Sequence, residues 1–408
     1  MAKTMLTLMG LEDASELTPR QEALLRNAEV IAGPPRWLQS LSGYAASLEP
    51  LSGNLVDWLL KLEKLSQERE TVVLASGDPN YYGLAQKLLA VVPPERVSVW
   101  PATTTVQKAF ARLKTTWAGA EVVSLHGRDG DWPQLYSALY RAGRPASPGR
   151  VAVYTDPRNS PDAIARALLA RGARGWDMTV LENLGAPDER IVQLALAEAE
   201  RERFAPLNLV VLQRNQAFLP TTIGAPEEDY LHEKGLITKR EVRALALGLL
   251  SLSGAETLWD IGAGSGSVSA EAGSLLSRGA VYGLEKNPDR LRDARENAAR
   301  RGLFHVEFRL GEALELLEGL PRPDRIFLGG GGEDLPQLIQ KGREKLNSPG
   351  IVVASTISLR SLGLATEALT HNRALPEIYQ VSSARQEPLG KSFYFKPGNQ
   401  VYLVKGVF

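Results

Sequence analysis

Short apolar runs alternate along the whole chain with longer stretches whose apolar positions recur every three or four residues. The first kind reads as buried strand and the second as helix covering a sheet. Strands are expected at 5–9, 71–75, 97–100 and 121–125, then at 151–155, 178–182 and 208–212. A further set is expected at 257–261, 280–284, 306–310, 325–328, 351–355, 377–381 and 400–404. Strands and helices in alternation predict α/β layers with mostly parallel sheets. Only a hairpin-like connection, 388–399, joins the last two strands, so one of them should run antiparallel to the rest.

Residues 141–150 hold Gly, Pro and Ser with few apolar side chains, and read as a hinge between two lobes. Residues 214–234 carry prolines, a glycine and the cluster Glu227-Glu228-Asp229, and read as a linker. The chain so divides into a two-lobed domain, 1–213, and a second domain, 235–408. Thr238-Lys239-Arg240-Glu241 has the form of a capping box ahead of an apolar helix. Asn287-Pro288 should cap and start another, since proline suits the first helical position. No internal repeat relates the two parts.

Composition narrows the chemistry. With 408 residues, 44% of them apolar and 23% charged, the chain can bury two or three cores without staples. Acidic and basic residues balance at 47 each, and residues 1–213 hold 23 basic and 24 acidic, so neither part is a polycation. Nucleic acid is therefore not the expected partner. The absence of cysteine excludes disulfides, thiol nucleophiles and cysteine-ligated metals. Four histidines (His126, His232, His305 and His371), none at i, i+4 spacing, make no histidine metal site, and no metal is expected. The first residues lack the form of a signal peptide, and no stretch approaches a membrane span of about 18 apolar residues. A cytoplasmic protein is expected.

Asp260-Ile-Gly-Ala-Gly-Ser-Gly266 lies between a predicted strand and a predicted helix, where open α/β sheets bind ligands. Its glycines let backbone approach a ligand closely. Glu285 ends the next strand about 20 residues on, where an acid can take two ribose hydroxyls. Leu310-Gly-Glu-Ala313 ends a third strand and is placed to frame an adenine. The dinucleotide fingerprint is G-x-G-x-x-G, whereas the spacing here is G-x-G-x-G, with Val268 inside the helix. That favours S-adenosylmethionine over NAD.

The segment 235–247, the 260–268 loop and Leu328-Gly-Gly-Gly-Gly332 together resemble the precorrin C-15 methyltransferases, over about 225–408. The resemblance implies a class I, Rossmann-like, seven-stranded methyltransferase fold. It implies cofactor contacts from Thr238, from the loop Gly262, Ala263, Gly264, Ser265 and Gly266, and from Glu285 and Ala313. Gly329, Gly330 and Gly331 would form a low wall for a bulky tetrapyrrole. Thr238 alternatively reads as a plain helix cap, Glu285 as a solvated strand end, and the glycine run as a flexible turn.

In the first domain, Leu74-Ala-Ser-Gly-Asp-Pro-Asn-Tyr-Tyr-Gly83 and Pro101-Ala-Thr-Thr-Thr-Val-Gln107 each follow a strand and precede a helix. They resemble the class III tetrapyrrole methyltransferases, whose cofactor lies folded between two α/β lobes. Ser124-Leu-His-Gly-Arg128, Thr155-Asp-Pro-Arg-Asn-Ser-Pro161 and 182–190 match the precorrin C-5 methyltransferase branch, and the resemblance covers about 5–212. It implies cofactor contacts at Gly77, Asp78, Tyr81, Thr104, Thr105 and Leu184, with Gly10, His126 and Arg128 toward substrate. The glycine-proline loop usual after the first strand is absent, because Met9-Gly10-Leu11-Glu12-Asp13 stands there. The bland readings are an Asp-Pro turn, a helix N-cap at the threonines and a structural strand end at His126.

Together the resemblances imply a corrin-pathway enzyme with two S-adenosylmethionine sites, one per domain, and self-association. It would methylate precorrin-6B, or its cobalt form, at C-5 and C-15 and decarboxylate the ring C acetate, giving precorrin-8. No residue is singled out as catalytic acid, base or nucleophile. Arg128, Arg158, Arg325, Arg360 and Lys391 are candidates for substrate carboxylates. Two alternatives stay open: an N-terminal domain that only binds tetrapyrrole or dimerises, and an NAD-dependent oxidoreductase.

Overall fold

The computed structural model describes residues 6–12, 16–127, 132–233 and 235–408. Near-continuous apolar runs, as in β1 (Leu6–Leu11), suit strands covered on both faces. β2 (Val30–Gly33), β3 (Ser47–Pro50), β4 (Thr71–Ser76) and β5 (Val97–Trp100) join it in a wholly parallel sheet of order β3-β2-β4-β1-β5. β2 and β3 were not expected, being four residues long and closed by Gly33 and Pro50. The helices Pro19–Asn27 and Pro35–Ser40 cover one face, and Leu55–Leu65 and Ala85–Leu88 the other.

A second sheet comprises β6 (Glu121–Ser124), β7 (Arg150–Tyr154), β8 (Trp176–Glu182), β9 (Arg190–Ala195) and β10 (Asn208–Arg214), ordered β6-β7-β10-β8-β9. Only β6 and β7 pair in parallel; β10 runs antiparallel to both its neighbours and β9 to β8. The expected parallel pairing thus holds throughout the first sheet but not in this one. The unforeseen β9 alternates partly buried and exposed residues, as an edge strand with one wet face does.

The third sheet draws on β11 (Thr257–Ile261), β12 (Ala280–Glu285), β13 (Val306–Leu310), β14 (Arg325–Leu328), β15 (Ile351–Thr356) and β16 (Glu377–Val381). A separate hairpin follows, β17 (Ala384–Leu389) and β18 (Ser392–Pro397), and then β19 (Val401–Val407). The order is β13-β12-β11-β14-β15-β19-β16, with β19 antiparallel to β15 and β16. The chain runs outward from β11 to β13, then returns beside β11 as β14. The carboxyl ends of β11, β12 and β14 so border the switch point where such sheets bind ligands.

The chain divides into two compact units, residues 1–118 with 183–189, and residues 119–182 with 190–408. The stretch read as a hinge, 141–150, lies inside the second unit. There Arg141 meets Glu121 at 2.8 Å and donates to the Ser277 carbonyl at 2.8 Å. The stretch read as a linker is anchored at points: Ala225, Glu227 and Tyr230 are buried, Ala225 and Tyr230 in the third sheet's core, while most of its other described residues are exposed.

Candidate functional sites

In the C-terminal part, β11 turns into the helix Ser267–Leu275 through three glycines in the left-handed region, Gly262 (φ 78°), Gly264 (φ 55°) and Gly266 (φ 72°). The Gly262 and Ala263 amides both donate to the Leu284 carbonyl at 2.9 Å, which presses the loop onto β12. A side chain on Gly266 would strike Ala294 and Phe308, at 2.8 and 2.9 Å, so this glycine serves packing. A side chain on Gly264 would meet nothing within 4 Å. Ser267, where the dinucleotide fingerprint would have its third glycine, is buried, and Val268 beside it lies in the core.

Glu285 is buried rather than a solvated strand end. Its Oε2 accepts from the Gly264 amide at 2.8 Å and its Oε1 from the Asn287 amide at 2.9 Å. Each oxygen keeps a lone pair for another donor. The Gly311 amide donates to the Glu285 carbonyl at 3.1 Å, bringing the turn before Ala313 to the same edge. The Gly329 amide donates to the Ile261 carbonyl at 2.9 Å. A Cβ on Gly262 would lie 3.3 Å from the Gly330 nitrogen, and Gly331 has φ 127°. Gly262, Gly264, Glu285 and the Gly329–Gly331 turn thus meet at one sheet edge, with Ser265 held by its carbonyl to Asn297 Nδ2 at 2.9 Å.

Asp260 belongs to this site and was not singled out from the sequence, although an acid in an otherwise apolar buried strand is a readable signal. Ser269 donates to its Oδ2, while Oδ1 is buried with no hydrogen-bond partner. Burial, helped by the Glu285 charge, pushes the Asp260 carboxyl up to about 6.

The capping box expected at Thr238 does not form. The helix is Arg240–Leu250, its N-cap is Lys239, and no side chain of the cap bonds it. Glu227 Oε1 instead accepts from the Arg240 amide at 2.9 Å, and Glu241 turns to Arg385. Thr238 is placed through its carbonyl, which accepts from Arg243 at 2.6 Å. Arg243 also meets Glu271 at 2.7 Å in a fully buried ion pair. Glu271 accepts in turn from the Gly224 and Ala225 amides at 2.9 and 3.1 Å.

In the first unit, Gly10, Gly77 and the turn 101–104 close on one another. A Cβ on Gly10 would lie 2.0 Å from the Gly77 carbonyl oxygen and 2.8 Å from the Ala102 nitrogen. Gly10 therefore packs the strand ends together, and no side chain fits there. Gly77 has φ 62°, and a Cβ on it would lie 3.2 Å from both the Thr103 carbonyl oxygen and the Thr104 Cα. Asp78 Oδ1 accepts from the Asn80 amide at 2.9 Å, and Tyr81 packs edge-on against Tyr82 with ring centroids 5.2 Å apart. Burial raises the Tyr81 phenol above its ordinary range. Thr104 caps the helix Thr105–Arg112 and forms a capping box with Gln107, so its hydroxyl is spent in the cap. Thr105 is the first residue of that helix, and Leu184 sits in the turn 183–189.

In the second unit, His126 is exposed, with Nδ1 2.9 Å from the Thr155 carbonyl oxygen. Gly127 donates to Asp156 at 2.8 Å, and Arg128 lies outside the described residues. Arg325 is not free for substrate: it donates to the Leu250 and Asp324 carbonyls at 2.7 and 2.9 Å. Arg360 meets Glu333 at 2.8 Å, and Lys391 stands exposed between β17 and β18. Among the described residues, no group of three potential ligands can hold a metal, and no helix is long and apolar enough to cross a membrane.

A glycine-turned backbone over two buried carboxylates, at the switch point of a 3-2-1-4-5-7-6 sheet, defines a Rossmann-like methyltransferase domain. Residues 229–405 match the precorrin methyltransferase domain family and residues 9–200 the tetrapyrrole (corrin/porphyrin) methylases. A precorrin-6Y C(5,15)-methyltransferase (decarboxylating) from Sinorhizobium sp. is 31% identical over 97% of this chain and 94% of its own. The chain belongs to the precorrin-6Y C(5,15)-methyltransferase (decarboxylating) family. A probable cobalt-precorrin-6B C(15)-methyltransferase (decarboxylating) from Pyrobaculum aerophilum is 42% identical over 45% of this chain and 95% of its own. A solved precorrin-6Y C5,15-methyltransferase structure from Geobacter metallireducens GS-15 is 36% identical, covers 46% of this chain and 98% of its own, and has a TM-score of 0.44.

Proposed function

We propose that this chain methylates precorrin-6B, or its cobalt form, at C-5 through its N-terminal part and at C-15 through its C-terminal part. The second step also decarboxylates the ring C acetate: its carboxylate leaves as carbon dioxide, the remaining carbon takes a proton and stays as a methyl group, and the product is precorrin-8. Each part would use its own S-adenosylmethionine, which when bound supplies an electrophilic methyl group on a sulfonium. The observation that carries the C-15 assignment is the Gly264 turn, with open space above it, Glu285 beneath it, and Asp260 Oδ1 buried without a partner. These residues fit the cofactor: Glu285 has lone pairs for ribose hydroxyls, and Asp260 holds an acceptor in reserve for an ammonium.

The chain's residues bind and align rather than abstract. A reduced, conjugated tetrapyrrole has enamine-like meso carbons that are already nucleophilic, so positioning accounts for much of the barrier. The Gly264 backbone and Glu285 fix the donor, and the Gly329–Gly331 turn, lacking side chains, leaves room for a macrocycle beside it. The buried strand ends keep water away. Electrons released when the acetate loses carbon dioxide enter the macrocycle, so no separate electron sink is required.

In a second reading the N-terminal part only binds tetrapyrrole. It draws on Thr104, whose hydroxyl is spent as a cap, and on Gly10, which is closed in by backbone. Titration of the full chain with S-adenosylhomocysteine separates the two: our reading expects two sites, the second reading one. Incubation with precorrin-6B and ¹³C-methyl donor should then label both C-5 and C-15. Label at C-15 alone, with one binding site, would refute the first assignment.

A further inference from the structure

In the first unit, several basic side chains meet carboxylates, while Lys64, Arg69, Lys87 and Lys114 form no ion pair among the described residues. Lys61 meets Glu49 at 2.6 Å, Arg96 meets Glu63 at 3.2 Å, Lys108 meets Glu12 at 3.3 Å and Arg112 meets Glu189 at 2.7 Å. Arg20 and Arg36 are different. Both are exposed, and neither has a carboxylate within ion-pair distance among the described residues. Each is instead placed against an indole: the Arg20 guanidinium lies 3.8 Å from the Trp100 ring centre and that of Arg36 5.1 Å from Trp37. Arg36 also donates to the Ser76 hydroxyl at 3.0 Å.

Their place in the fold joins them to the candidate site. Each is the second residue of its helix, after Pro19 and Pro35, on the helices that follow β1 and β2. Trp37 and Trp100 pack against the same core, so both arginines belong to one face of the sheet. Trp100 ends β5, one residue before the turn that packs on Gly10; Ser76 ends β4, directly before Gly77. Only β1 separates β4 from β5, so the two anchoring strand ends lie roughly 10 Å apart. That spacing suits two carboxylates on one large ligand better than a single carboxylate gripped by both forks.

We propose that Arg20 and Arg36 form a carboxylate-recognition pair that grips two acidic side arms of the tetrapyrrole at the N-terminal site. This rests on the reading of the N-terminal part as acting on a tetrapyrrole. A guanidinium presents a planar fork matched to a carboxylate, and stacking on a fixed indole restricts it in advance, so less freedom is lost on binding. Among the described residues the Arg20 guanidinium makes no hydrogen bond to protein, and that of Arg36 makes one, to Ser76, so most of their N–H groups remain available to a ligand.

The test uses the full chain with Arg20→Met, Arg36→Met, the double variant and Arg36→Lys. C-5 and C-15 methylation are followed separately with ¹³C-methyl donor. The double variant should raise KM for precorrin-6B in the C-5 step about tenfold or more, as expected for losing charge-assisted bonds. KM for S-adenosylmethionine and the C-15 step should not move, and Arg36→Lys should recover part of the loss. An unchanged KM in the C-5 step, or an equal loss in both steps, overturns the pair. Binding of uroporphyrin, an octacarboxylate, followed by quenching of tryptophan fluorescence, decides the matter even if wild-type protein makes no C-5 product. In that case the C-5 activity falls, while weaker quenching by the double variant upholds the arginine pair and equal quenching removes it.

Discussion

Gly264 and Gly266 share a left-handed backbone two residues apart, but their surroundings assign them different work. Gly264→Ala meets open space and should cost only about 1–2 kcal/mol of stability, from backbone strain alone. It should nevertheless weaken S-adenosylhomocysteine binding at one of two sites, about tenfold or more by calorimetry. Gly266→Ala collides with Ala294 and Phe308 and should cost about 2–4 kcal/mol, read as a lower urea midpoint. Asp260 gives a pH signature. Its carboxyl sits near 6 in the folded chain against 3.8 unperturbed, so the folded state holds the proton more tightly. The stability this contributes is complete below about pH 4 and is lost as pH rises through 6, roughly 3 kcal/mol in all. Urea titrations of wild type and Asp260→Asn should therefore converge or cross between pH 4 and pH 7; parallel curves would exclude the assignment. The glycine loop and Glu285 were legible because strand, turn and acid follow one another closely in the chain. The unpartnered oxygen of Asp260 was not, since it depends on what surrounds that oxygen in space.

At the scale of elements, the segment before the third sheet is a strap, not a tether. Glu271 holds its Gly224 and Ala225 amides, Arg243 holds the Thr238 and Ala225 carbonyls, and Asn297 exchanges two hydrogen bonds with Leu231 at 2.8 and 2.9 Å. Arg385 of the β17–β18 hairpin adds a two-pronged bond to Glu227, at 2.7 and 2.8 Å, which lowers that carboxyl to about 2. Arg243→Met would strand the Glu271 carboxylate in a fully buried position, a loss of about 3–5 kcal/mol. Thermal melts of the full chain should show that loss, with C-15 methylation falling further than C-5. Composition alone misread this stretch, because prolines, glycines and acids mark irregular backbone whether or not it is packed. The Thr238 box failed for a related reason: Glu227, 13 residues before Arg240, reached the helix terminus first.

At the scale of the whole molecule, the lobe built on β6–β10 and the C-terminal domain share their cores. Phe304, from the loop before β13, lies in the core of that lobe and meets Phe218 edge-on, with ring centres 5.6 Å apart. Tyr140, from the lobe, lies in the core of the C-terminal domain, where its hydroxyl donates to the Ser274 carbonyl at 3.2 Å and its ring meets His305. Arg171 closes the contact on Glu307 at 2.7 Å. Phe304→Ala should cost about 3–5 kcal/mol, and calorimetry should show one transition moving while that of residues 1–118 stays in place. Movement of both transitions together would contradict this division. The sequence alone established the α/β class, the strand-end turns and the absence of thiol chemistry, because periodicity and turn residues act between near neighbours in the chain. The tertiary structure decided which acids are buried, which arginines are spent and where the units part. Those outcomes turn on partners tens to more than a hundred residues away, as with Arg385 and Glu227 or Arg171 and Glu307, and no local pattern records them.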